Sequence, residues 1–166
     1  MFDKHRGVVE HFGFEIDKKV VREWQSEGSK QPIALAELLP IVLSKFVWAS
    51  TLSGRFVLTF IDNNSVLYQM INGSARNSYS RILLLHSAKA DVANKAFNWY
   101  SRVASQSNPG DDPSRLEFEE ATAKFGSKAV LCDLHELTRR VCERKLVDKK
   151  NGVKRVNSQR HEGATK

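Results

Sequence analysis

The chain has 166 residues, 41% of them hydrophobic and 27% charged, with a net charge of +7. Those values fit one folded domain with an ordinary core plus a tail. No apolar run reaches the roughly 18 residues needed to cross a bilayer, and the opening residues MFDKHRGVVEHFGFEID lack the apolar block and small-residue cleavage site of a secretory signal.

The charge is unevenly placed. Residues 1–138 carry 16 Lys+Arg against 16 Asp+Glu, whereas residues 139–166 carry 10 against 3. The segment 147–166 therefore reads as a basic tail, disordered by composition, which can neutralise phosphates without sequence preference or simply be a solvated end. Cys132 and Cys142 lie on one expected helix, and at about 1.5 Å rise per residue they stand roughly 15 Å apart, too far for a disulfide. There is no CxxC and no Cys/His cluster, which argues against structural zinc. The expected setting is a reducing, intracellular compartment, cytoplasmic or nuclear.

In chain order, Met1 and Phe2 precede a turn over 3–7, and residues 8–16 read as a strand. KKVVREWQ forms a possible short helix. Residues 31–50 are apolar with helical spacing: Leu35, Leu38, Leu39, Val42, Leu43, Phe46 and Val47 recur at three and four positions, making a face to pack on a sheet. Pro32 suits the first turn, and Pro40 is expected to kink or split the helix. Glu37 is the sole acid in that run.

GRFVLTFI, residues 54–61, reads as a buried strand because a short continuous β-branched and aromatic run is bounded by Gly and Asp-Asn. Residues 63–71 read as a helix with Asp62 or Asn63 available as its cap, stopped by Asn72-Gly73-Ser74. A long helix is expected over 78–97 with Ile82, Leu83, Leu85, Ala88, Val92 and Ala93 inward, then a strand over 98–103. QSNPGDDPSR, residues 106–115, is a loop by composition. Helices are expected over 116–125 and 132–146, the second with Leu134, Leu137, Val141 and Leu146 inward. Strands alternating with helices imply an α/β fold with some parallel pairing.

Three acidic positions share a pattern. Glu37 lies on an otherwise apolar helix, Asp62 ends a strand, and Asp111 and Asp112 follow another strand in a Pro/Gly-rich loop. A carboxylate on an apolar face is costly unless it is paired or binds a cation. Acids converging at one sheet edge can hold Mg²⁺ with water completing its shell. Each also has a plainer reading: Glu37 reaching solvent, Asp62 as a helix cap, and Asp111-Asp112 before Pro113 as turn chemistry. Arg76, Arg81, Lys89 and Lys95 read as a solvated face or as contacts to a nucleic-acid backbone. Trp99 and Tyr100 read as core or as base-stacking groups. His86 and His135 have no evident partner in the sequence.

The segments IALAELLPIVLSKFVWASTLSGRFVLTFIDNNSV, SARNSYSRILLL and NWYSRVASQSNPGDDPSRL, taken in order, resemble the ribonuclease H-like domain that accompanies reverse transcriptases in retrotransposons. The resemblance covers residues 1 to about 116. It implies a mixed sheet flanked by helices, over a domain of residues 1–146. The family's "AELL"-like motif corresponds to Glu37, and its strand-end Asp-Asn corresponds to Asp62-Asn63. Its late "SxxNxADxPSR" motif corresponds to Asp111, with Gly110 where Ala is usual. By resemblance Glu37, Asp62 and Asp111 are catalytic Mg²⁺ ligands, with Asp112 a further metal candidate. The partners so implied are an RNA–DNA hybrid or other nucleic acid and the rest of a reverse transcriptase polyprotein.

The resemblance begins at the end of the family's second strand. The expected fold therefore lacks the first, central strand with its Asp, and Asp3, in a hairpin turn, is not expected to replace it. Hydrolysis of the RNA strand by two metal ions is the family activity; in this chain it is expected to be weak or absent, with a non-catalytic nucleic-acid-binding or scaffold remnant as the alternative.

Overall fold

A computed structural model describes residues 1–26 and 32–142. The strands fall into two separate sheets. β1 (Phe2–Asp3) pairs antiparallel with β2 (Val8–His11), and β2 pairs in parallel with β5 (Lys128–Ala129). β3 (Phe56–Ile61) pairs in parallel with β4 (Phe97–Arg102), in register from Phe56↔Phe97 to Ile61↔Arg102. The helices are α1 (Lys18–Ser26), α2 (Ile33–Val47), α3 (Ala49–Leu52), α4 (Asn64–Asn72), α5 (Ser78–Asn94), α6 (Asp111–Ser114), α7 (Phe118–Phe125) and α8 (Leu134–Cys142). The class is mixed α/β. The segment 147–166, expected to be disordered, lies outside the described residues, as does the end of the helix expected over 132–146.

The core is built around α2. Leu35, Leu38, Leu39, Val42 and Leu43 are buried as the spacing predicts, against Val66, Leu67 and Met70 of α4, Leu83 and Leu84 of α5, and Leu134 and Val141 of α8. Trp24 of α1 is fully buried in the same cluster. Pro40 sits inside α2 without ending it; the break comes at Trp48, between α2 and α3. Pro32 precedes the helix, where its carbonyl accepts from Ala36 N at 2.9 Å.

Local chemistry sets the crossover from β3 to β4. The Asn63 side chain accepts from Val66 N and caps α4, and Gly73 closes that helix in the left-handed region at φ 61°. Asn77 caps α5 through Ser80 N. Lys95 ends α5 at φ 51°, two residues before the predicted end. A polar cluster then ties α5 to α2 and β4. Lys45 Nζ donates to Asp91 Oδ2 at 2.6 Å and to Tyr100 OH at 2.9 Å, Asn98 Nδ2 donates to Asp91 Oδ1 at 2.7 Å, and Asn94 Nδ2 donates to Lys45 O at 2.8 Å.

Several expectations are corrected. The strand expected over 8–16 stops at His11, because β1 and β5 offer only two paired residues each and the chain at Gly13 is pressed against Pro113 O instead. The inward face of α5 is Tyr79, Ser80, Leu83, Leu84, Ser87 and Ala90; Leu85, Ala88, Val92 and Ala93, expected inward, are exposed. Cys132 precedes α8 rather than sharing its helix with Cys142, and both thiols are free. β3, expected to be buried, alternates between covered and open positions. β5 had no counterpart in the sequence reading.

Candidate carboxylate site at the strand ends

Asp62 follows the last residue of β3, and Val103 N donates to Ile61 O at 3.1 Å, so the parallel pair ends together at this point. Ligands of open parallel sheets gather at this carboxyl edge. Glu37 reaches the same place from the first turns of α2. Burial pushes the Glu37 carboxyl above its ordinary value, the Asp62 charge pushes it further up, and a hydrogen bond with the Asn63 side chain partly offsets both. Glu37 Oε2 is buried without a hydrogen-bond partner. Two of the expected carboxylates therefore sit close enough to sense each other's charge, and one keeps a bare oxygen.

The loop after β4 closes over Asp62. Asn108 Nδ2 donates to Asp62 Oδ2 at 3.0 Å, and Asn108 Oδ1 accepts from Gly110 N at 3.0 Å. Arg102 Nε donates to the Asp62 backbone carbonyl at 3.2 Å. Asp111 N donates to Asn108 O at 3.1 Å, which brings the start of α6 beside this loop. Asp111 Oδ2 is 3.0 Å from Arg115 Nη2, and Asp112 accepts from Lys124 Nζ at 2.9 and 3.0 Å. Both acids are thus engaged by cations. Among the described residues no group of three or more His, Cys, Asp or Glu side chains is arranged to hold a metal ion.

The structure accordingly brings Glu37 within electrostatic reach of Asp62 and places Asp111 and Asp112 in the first turn of α6, where a loop was expected, each in its own ion pair. The donor chemistry of the Glu37–Asp62 pair suits a hard cation: two carboxylates sense each other's charge, one oxygen is unpartnered, and oxygen donors of this type suit Mg²⁺. A set of four ligands does not fit without release of Arg115 and Lys124. Asp3 is held elsewhere, 2.8 Å from Arg55 Nη1, with its other oxygen accepting from the turn N–H groups of His5 and Arg6.

Asn108, Arg102 and the Asn63 contact to Glu37 escaped the sequence reading. Asn108 was legible only as turn chemistry, because NPGDD has the composition of any tight loop. Of the remaining candidates, Arg81 Nη1 donates to Arg76 O at 3.1 Å on an exposed surface, Lys89 and Lys95 are exposed, and His135 lies edge-on to Phe14. Tyr100 packs inward while Trp99 is exposed. Among the described residues no helix is long and apolar enough to cross a membrane. No family profile, curated protein or solved structure matches the chain.

Proposed function

We propose that the chain is a retroelement-derived, ribonuclease H-like domain of a reverse transcriptase polyprotein that engages RNA–DNA hybrids and binds one Mg²⁺ between Glu37 and Asp62. The observation that carries the proposal is the strand-end pairing of these two acids, with Glu37 Oε2 buried and unpartnered. A bound Mg²⁺ supplies Lewis-acid activation of water for phosphodiester hydrolysis. The chain's own part is to hold two carboxylates together at a strand tip and to fix Asp62 through Asn108. Hydrolysis is slow, because Asp111 and Asp112 are committed to Arg115 and Lys124.

A labelled hybrid and a thermal melt test this reading. Ligand at ten times its dissociation constant stabilises a fold by about 1.4 kcal/mol, which raises the midpoint by roughly 3–5 °C for a chain of this size. Such a rise with MgCl₂, absent in Glu37→Gln and Asp62→Asn, together with slow Mg²⁺-dependent RNA cleavage, is the expected result. No rise at matched ionic strength refutes it.

The two ion pairs at α6 favour a second reading, a non-catalytic nucleic-acid-binding module. It requires hybrid binding that ignores both EDTA and Glu37→Gln. If residues 147–166 carry the phosphate contacts, their removal makes the salt dependence of binding shallower.

A further inference from the structure

Parallel strands are normally covered on both faces, yet among the described residues the β3–β4 pair is covered on one. Helices α2, α4 and α5 pack around Ile61 and Tyr100. The opposite face presents Phe56 (89% exposed), Leu58 (55%), Phe60 (55%), Phe97 (64%) and Trp99 (73%). Phe56 and Phe97, directly across the ladder, stack with ring centroids 5.3 Å apart. These alternate positions line one side of two adjacent strands and include no charged side chain.

We infer that this face is a homodimer interface, on which a second copy of this chain packs the same apolar sheet surface about a two-fold axis. Three observations select that occupant. The first is area. At about 150–250 Å² per large side chain, scaled by these exposures, the patch offers roughly 600 Å². That is the upper end of what an ordinary monomer leaves open, and with its rim it approaches the roughly 800 Å² per partner of a standard interface.

The second is charge. A face without a formal charge meets its own copy without repulsion, whereas a base-stacking platform needs cations among its aromatics to follow the phosphates. The third is shape. The helices cover one face of this two-stranded sheet and leave the other flat and apolar, and two such faces stacked about 10 Å apart form a sandwich with a shared apolar centre. This inference is independent of the carboxylate pair.

Sedimentation velocity of the full chain from 1 to 100 µM, in reductant to keep Cys132 a thiol, tests it. The expected result is a monomer–dimer equilibrium that persists at high salt, with a blue shift of Trp99 emission as dimer forms. Trp99→Glu and Phe97→Glu are expected to weaken association at least 100-fold while far-UV circular dichroism is unchanged. If either charge disrupts folding, Trp99→Ser serves in its place. Leu131→Glu, at an exposed site outside the β3–β4 face, is expected to leave association intact. A chain that stays monomeric at 100 µM, or a dimer that survives both Trp99 and Phe97 substitutions, overturns the inference. So does quenching of Trp99 by a single-stranded oligonucleotide in a chain that remains monomeric, an outcome that assigns the face to bases.

Discussion

Lys45 provides the sharpest test of how the fold is held. Its side chain is 2% exposed and meets an Asp91 carboxylate that is 24% exposed. Removing one member of a buried ion pair costs about 3–5 kcal/mol, because the other charge is left without compensation. Here the loss is smaller, because Asp91 keeps the Asn98 donor at 2.7 Å and some contact with water. Lys45→Met, which retains the stem's packing, is expected to cost about 2–3 kcal/mol, or roughly 6–9 °C in melting temperature. Lys45→Met with Asp91→Asn removes both charges and leaves an amide oxygen for Asn98; it is expected to cost about 1 kcal/mol. Urea unfolding of both singles and the double measures the coupling directly. A single Lys45→Met variant within about 0.5 kcal/mol of the native chain, or a double variant no better than the single, would refute the reasoning.

Three further perturbations address the site. Because the Glu37 carboxyl is pushed above its ordinary 4.5 in the fold, its ionised form is disfavoured there. Stability therefore falls as pH rises from about 4.5 through the raised value. Glu37→Gln is expected to match the native chain at pH 4 and exceed it at pH 7 in thermal melts, and equal pH profiles would contradict the burial argument. A Cβ at Gly13 would collide with Pro113 O, so Gly13→Ala is expected to cost about 1–3 kcal/mol and to loosen α6, which bears Asp111. Urea titration checks the first, and faster amide exchange at residues 108–114 checks the second. Asn63→Ala removes the α4 cap, with an expected loss of about 1 kcal/mol by urea unfolding, and raises the Glu37 pKa further, measurable by carboxyl NMR titration.

Legibility of the chain followed the range of the interactions. Asn63 as a cap, Gly73 as a stop and the leucine face of α2 are local rules, and each acts as its residues dictate. The run FVLTFI announced a strand, but a strand's own residues do not say how many faces have cover, and α2, α4 and α5 supply only one. The misassigned face of α5 has a similar cause. That helix carries apolar residues around much of its circumference, and its small buried Ser87 is held inward by a hydrogen bond to Tyr100, a partner 13 positions away. At the site, Glu37 and Asp62 were visible as an acid in an apolar run and an acid ending a strand. The engagement of Asp111 and Asp112 by Arg115 and Lys124 was hidden, since a basic residue in sequence carries no address for its partner.

The division of the strands into two ladders gives the molecule two tiers of local opening. β3 and β4 share a six-residue register flanked by the Lys45–Asp91–Asn98 cluster, and the amides hydrogen-bonded across that ladder are expected to exchange more slowly than those of the other sheet. β1, β2 and β5 are joined by two-residue registers, so that tier breathes first and takes with it the Gly13 contact that steadies α6. Glu37 and Asp62 belong to the slow tier and Asp111 to the fast one. The company that the first two acids keep is thus governed by a clock separate from their own.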